Sequence, residues 1–213
     1  MIKLEFPAVS SILCLGAHSD DIEIGCGATI LELIQRFPQA HVHWVVFSSN
    51  STREAEARRS AALFLAQAES HEVSVFSFRD GFFPWQGLDI KETFEGLKNT
   101  MSPDMIFTHY RDDRHQDHRT ISDLTWNTWR NHLILEYEIP KYDGDLGSPN
   151  FFVDISGDHM QRKTSILLQS FVSQVDKQWF SEATFTGLMR IRGLESNSLS
   201  GYAEGFFCRK ASV

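Results

Sequence analysis

The chain is poor in cysteine, with three in 213 residues: Cys14, Cys26 and Cys208. Their spacing has no paired pattern, which excludes a disulfide framework and points to a reducing compartment. No apolar run is long enough to span a bilayer. The opening Met1-Ile2-Lys3-Leu4-Glu5-Phe6-Pro7 is broken by charge and does not read as a secretory signal. A cytoplasmic location without a membrane span is expected. A basic excess is also missing: 20 Lys and Arg face 28 Asp and Glu, a formal charge of -8, which argues against nucleic acid as a partner. Gly25-Cys26-Gly27 starts like a dinucleotide fingerprint, but Ile30 stands where its third glycine belongs, and an acidic pair precedes it. A nucleotide cofactor is therefore rejected. No repeat, low-complexity tract or linker divides the chain, so residues 1–213 read as one domain with a sizeable core.

What is present is an alternation of short apolar runs and helical patterns. Strands are expected at Ser11 to Gly16, His41 to Phe47, Val73 to Phe78 and Asp104 to Thr108, with weaker signals at Leu133 to Tyr137, Phe151 to Ile155 and Gly201 to Cys208. Helical spacing appears in Ile30, Leu31, Ile34 and Phe37, and in Thr52 to Ala68, Ile90 to Leu97, Ile121 to Trp129 and Met160 to Phe171. Gly81 to Gly87 and Lys141 to Gly147 read as loops. This order implies an α/β fold, a Rossmann-like three-layer sandwich with a mostly parallel sheet. In such sheets ligands sit beyond the carboxyl ends of the strands.

Two of those ends carry chemistry. Ala17-His18-Ser19-Asp20-Asp21 follows the first strand, and His115-Gln116-Asp117-His118 follows the strand ending at Thr108. Imidazoles and carboxylates suit a divalent cation, and three protein ligands leave a position open for catalysis. Of Asp20 and Asp21, one can hold the metal while the other faces metal-activated water as a base. A helix cap is the competing reading of the pair. In the second segment one His can be a ligand and the other can steady an oxyanion, with Asp117 orienting an imidazole. A solvated polar loop is the competing reading, and spacing alone does not say which His is which.

The two segments resemble those of the PIG-L/LmbE family of metal-dependent N-acetylglucosamine deacetylases, whose motifs are Ala-His-Pro-Asp-Asp and His-Pro-Asp-His. Similarity extends to Glu23, Gly25, Arg53 and Glu56, and later to Ser173-Gln174, Arg190 to Gly193 and Tyr202 to Glu204. The resemblance implies His18, Asp21 and His118 as ligands of Zn2+, with Fe2+ tolerated. It implies Asp20 as general base, His115 as a polarising imidazolium and Asp117 as the partner of His115. It also implies a small-molecule amino-sugar substrate, loss of an N-acetyl group as acetate, and a homo-oligomer. Both family prolines are replaced, by Ser19 and Gln116, which bears on loop rigidity rather than on the ligands. A metal-dependent amidase for non-sugar N-acyl compounds and a non-catalytic metal-stabilised binding protein are the alternatives.

Other residues carry weaker expectations. Arg53, Arg192 and Glu204 are assigned to substrate, against an internal ion pair for the last two. Glu56 and Arg58 are read as surface partners on one helix. Phe82, Phe83 and Trp85 are weighed as a sugar-stacking wall against a core-covering loop. His109 is read first as a hydrogen-bonded structural residue.

Overall fold

The computed structural model describes residues 3–212. Seven strands form one sheet in the order β3-β2-β1-β4-β5-β7-β6. They are β1 (Ser11–Gly16), β2 (His41–Val46), β3 (Ser70–Val75), β4 (Met105–His109), β5 (Leu133–Tyr137), β6 (Phe151–Asp154) and β7 (Ala203–Cys208). Strands β1 to β5 are parallel, and β7 runs antiparallel between β5 and β6. The helices are α1 (Asp21–Arg36), α2 (Ser51–Phe64), α3 (Gly87–Thr100), α4 (Gln116–Thr128), α5 (Gly157–Ser170) and α6 (Glu182–Glu195). No helix among the described residues is long and apolar enough to cross a membrane.

The sheet is buried on both faces because its central strands are apolar throughout. Along β1 the side chains alternate between two cores. Ile12 and Cys14 join the one with Ile30 and Ile34 of α1 and Phe64 of α2, while Leu13 and Leu15 join the one with Ile90 and Phe94 of α3 and Ile121 of α4. Each fully buried side chain of this size contributes about 1.5–3 kcal/mol. The chain builds outward through β1, β2 and β3, then crosses back to place β4 on the other side of β1. The sheet therefore changes direction between β1 and β4, which opens a crevice at their carboxyl ends.

Several boundaries differ from those expected. β3 lies three residues earlier than Val73 to Phe78, because an edge strand tolerates the exposed polar start Ser70-His71-Glu72, while Phe76 and Phe78 run on as extended chain bonded to Val46 and Phe47. α4 begins at Gln116 rather than Ile121, so Asp117 and His118 lie in its first turn and His115 caps it. α6 has no counterpart in the sequence reading. Ile191 and Leu194 of this helix are exposed while Arg192 is buried, so its pattern does not mark an apolar face.

Helix α1 takes side-chain partners on its backbone at mid-length. Ala28 and Thr29 donate their backbone N–H groups to the two carboxylate oxygens of Glu204, at 3.1 and 2.7 Å. Lys163 donates to the Ile24 carbonyl at 2.6 Å and pairs with the same Glu204. A buried ion pair thus bonds backbone groups in the middle of the helix. Two glycines allow α1 to press inward there: a Cβ on Gly25 would meet the Tyr137 ring at 2.2 Å, and one on Gly27 the Phe64 ring at 2.8 Å.

Two stability predictions arise from α1. Glu204→Gln leaves Lys163 buried without its counter-charge and should cost about 3–5 kcal/mol in urea unfolding, with kcat unchanged in the folded protein. A fall in kcat/KM at native stability would restore the substrate role of Glu204. Glu23 is fully buried and neither of its oxygens is hydrogen-bonded. Burial first, then the charges of Asp20 and Asp21, push its carboxyl well above the usual 4.5. Its folded form favours the proton, so the stability it contributes is complete below the unfolded value and is lost as pH rises through the raised one. Glu23→Gln should therefore gain in melting temperature over wild type as pH rises above about 5. A difference independent of pH would refute the assignment.

Candidate metal centre and cleft

Strands β1 and β4 are hydrogen-bonded neighbours, and each delivers one set of donors. His18 Nδ1 lies 3.2 Å from His118 Nε2 and 3.2 Å from Asp21 Oδ2, and His118 Nε2 lies 3.5 Å from that same oxygen. A tetrahedral cation with bonds of about 2.05 Å spaces its ligand atoms about 3.3 Å apart. The triangle therefore has the size of three ligand corners. The residues present fit a cation: two imidazole nitrogens and one carboxylate oxygen converge, all on side chains that are largely or wholly buried.

Each imidazole is oriented from behind. His118 Nδ1 lies 2.9 Å from Asp113 Oδ2, and His18 Nε2 lies 3.1 Å from Asp80 and 3.4 Å from Asp117. Carboxylates in these positions select the tautomer that turns the other nitrogen to a metal. Burial first, then neighbouring His109, depress His118 to about 3, so its ring is neutral and its lone pair free. Burial would lower His18, but Asp21, Asp117 and Asp80 outweigh it and hold the ring well above its usual range. Burial likewise opposes ionisation of Asp21, but His118, His109 and His18 keep its carboxyl well below the carboxylate range.

Asp20 stands apart from the triangle. Arg53 binds its Oδ1 at 2.6 Å, leaving Oδ2 buried without a hydrogen bond. Burial outweighs the Arg53 charge and raises its pKa, which moves a carboxylate toward the range useful for proton transfer near neutrality. Arg53 also reaches Ser173 Oγ at 3.4 Å, and Ser173 is fastened to Glu56 through its N–H and its hydroxyl. Glu56 is thus buried beneath the site, contrary to the surface pairing expected, whereas Arg58 does pair on the helix surface, with Glu54.

His115 differs from its expected role in charge and in partner. It caps α4, and its Nδ1 accepts the Asp117 backbone N–H at 3.3 Å. That nitrogen therefore carries a lone pair, leaving Nε2–H as the donor. Burial, then the nearby His18, lower the His115 pKa, and a helix N-terminus also disfavours an imidazolium. The ring is a neutral donor. The Asp117 carboxylate turns the other way: it accepts the N–H groups of Gly81 and Phe83 at 2.7 and 3.2 Å and faces His18. Asp117 orients His18, not the His115 side chain.

The cleft above these groups encloses about 950 Å3. Arg53 lines it, as do Ser48, Ser49, Asn50, Gln174 and Trp179. Arg192 and Glu204 do not, which corrects their assignment to substrate. Arg192 is buried in a pair with Glu138 at 2.7 Å and bonds Glu195, and Glu204 is consumed by Lys163 and α1. The aromatic wall is also elsewhere: Phe83 is core, Phe82 and Trp85 face solvent away from the cleft, and Trp179 and Phe78 line it instead. His109 is structural, accepting the Ala17 N–H at 2.9 Å while stacking on His118 at 4.0 Å. Asp113, Asp80 and Lys141 were missed. The only signal was the acidic Asp112-Asp113 just before His115, which reads equally well as a solvated loop.

Comparison with known proteins agrees with the two-segment motif. A family model described as PIG-L, GlcNAc-PI de-N-acetylase, matches residues 13–129. An uncharacterized deacetylase of Escherichia coli strain K12, YaiS, is 30% identical over 142 residues, 61% of this chain and 74% of that protein. The N,N'-diacetylchitobiose deacetylase of Pyrococcus horikoshii superposes with a TM-score of 0.66 at 20% identity, covering 93% of this chain and 83% of its own. The 4-carboxy-2-hydroxymuconate hydratase of Pseudomonas putida KT2440 superposes with a TM-score of 0.73 at 17% identity, covering 96% and 98%. Architecture of this kind serves more than one chemistry, but the sequence match runs through both donor segments, and on it the chain belongs to the PIG-L family of deacetylases.

Proposed function

We propose that this protein is a metal-dependent N-deacetylase that hydrolyses the acetamido group of an N-acetylglucosamine-type sugar or conjugate. The observation that carries the reading is the triangle of His18, Asp21 and His118 in a cleft that Asp20 also lines, with one Asp20 oxygen free of hydrogen bonds. Two imidazoles and one carboxylate suit Zn2+ and tolerate Fe2+. When bound there, the cation supplies Lewis-acid activation of water and of the acetyl carbonyl.

The chain's own groups do the rest. Asp20 Oδ2 takes a proton from the attacking water as the C–O bond forms. Arg53 holds Asp20 through Oδ1 and leaves its second oxygen without a hydrogen bond. His115 Nε2–H donates to the oxyanion that develops at the acetyl carbon. A neutral imidazole is a poor acid, so Asp20 returns its proton to the departing nitrogen. The C–N bond breaks, and acetate and a free amine leave. The polar lining of Ser48, Ser49, Asn50 and Gln174, with Trp179 at the rim, suits a hydroxyl-rich ring with one apolar face. The three free cysteines support a reducing, cytoplasmic setting.

Asp20→Asn should retain about one equivalent of metal and lose acetate release by about 10²–10⁴-fold. Full activity in that variant would remove Asp20 from the chemistry. Stripping the metal with a chelator should abolish turnover and lower the melting temperature, since a ligand of the native state stabilises it by mass action. Both should return on adding zinc. Faster turnover of simple N-acyl amides than of N-acetylglucosamine glycosides would overturn the sugar assignment.

A further inference from the structure

Lys141 enters the site from the loop between β5 and β6. Its Nζ lies 2.9 Å from Asp113 Oδ2, the oxygen that also faces His118 Nδ1 at 2.9 Å. Asp113 Oδ1 accepts the His115 N–H at 2.8 Å. One buried carboxylate therefore has three anchors: the His118 ring, the His115 backbone, and a cation supplied by a different loop. Lys141 also pairs with Asp145, whose Oδ2 accepts the Arg114 N–H at 2.7 Å. The loop is thus tied at two points to the segment that carries His115 and His118. Ile139, Tyr142 and Asp143, beside Lys141 in sequence, line the cleft.

This arrangement does more than neutralise charge. A carboxylate behind a ligand histidine fixes the ring only if it is itself fixed. Asp113 gets its fixed position partly from Lys141, and Lys141 belongs to the wall of the substrate cleft. We propose that Lys141 is a positioning residue that anchors Asp113, and through it His118, so that cation affinity and the placement of the 141–147 loop depend on each other. The proposal rests on the metal-centre reading and deepens it.

The test measures zinc affinity by chelator competition in the wild-type protein and in Lys141→Met, Lys141→Gln and Lys141→Arg. Met and Gln should weaken zinc binding by about 10–100-fold, the usual cost of losing an outer-sphere partner, and Arg should recover most of it. Metal-free melting temperatures should fall somewhat in Met and Gln, because Asp113 is then left buried without its cation, so the deciding readout is zinc affinity in the folded variants. A purely structural lysine would lower the melting temperature and spare affinity. Zinc should also slow amide exchange across residues 141–147 in wild type but not in Lys141→Met. Native zinc affinity in a folded Met or Gln variant overturns the proposal. A wild-type protein that takes up no zinc overturns the metal-centre reading, and this one with it.

Discussion

A single carboxylate oxygen, Asp21 Oδ2, sits where three imidazoles and a backbone amide meet. The His18 N–H reaches it at 2.6 Å, and ring nitrogens of His18, His109 and His118 stand 3.2, 3.2 and 3.5 Å away. An anion buried to 4% exposure is costly unless donors or positive charge offset it, and the His18 amide and the His18 ring, itself held well above its usual range, are the ones that do so. Here every partner comes from a chain segment placed by the sheet: His18 from the end of β1, His109 from the end of β4, His118 from the first turn of α4. The crossover that sets β4 beside β1 is what converges them. Without that strand order the two histidine segments, about a hundred residues apart in the chain, would be two polar loops.

Around this centre the fold arranges charge in shells. Neutral His118 is backed by anionic Asp113, and Asp113 by Lys141. His18 is backed by Asp117, whose carboxylate is pinned by the Gly81 and Phe83 amides. Asp20 is held by Arg53, which leans on Ser173 and so on Glu56. Each chain of contacts begins at a site atom and ends in a different loop or helix. The loops after β2, β3, β4 and β5 are therefore coupled to the centre by hydrogen bonds rather than by covalent proximity. Preorganisation of this kind lets a site act without rearranging its dipoles during the reaction.

How far this was legible in the sequence depends on how local the determinant is. The strand–helix alternation and the apolar strands β1, β2, β4 and β5 were readable, because a buried parallel strand is an unbroken apolar run. His18, Asp20, Asp21, His115 and His118 stood out as two short polar segments after apolar strands, but spacing left their roles open, and only the family resemblance assigned them. Asp113 and Lys141 were not, since their meaning lies in a contact between two loops 28 positions apart that no spacing rule reports. Arg192 and Glu204 were ambiguous. The sequence offered a pocket wall and an internal ion pair for these residues alike, and only burial shows that the ion pair holds. Helix α6 escaped because charged Arg192 shares its buried face with Phe185 and Met189 while apolar Ile191 and Leu194 are exposed, which blurs the apolar stripe.

What makes this scaffold an amide hydrolase is narrower than its architecture. A hydratase superposes over nearly the whole chain at 17% identity, so the fold by itself leaves the reaction open. Amide hydrolysis adds one demand: the leaving nitrogen needs a proton at the moment the C–N bond breaks. Helix α4 caps His115 in a form that can donate a hydrogen bond but is ill suited to give up a proton. In the proposed reaction that leaves Asp20, whose burial raises its affinity for a proton and whose Arg53 partner occupies only one of its oxygens. On that proposal base and acid are the same carboxylate at two stages, so amide cleavage would hang on the Arg53–Asp20 contact as much as on any residue that would touch a cation.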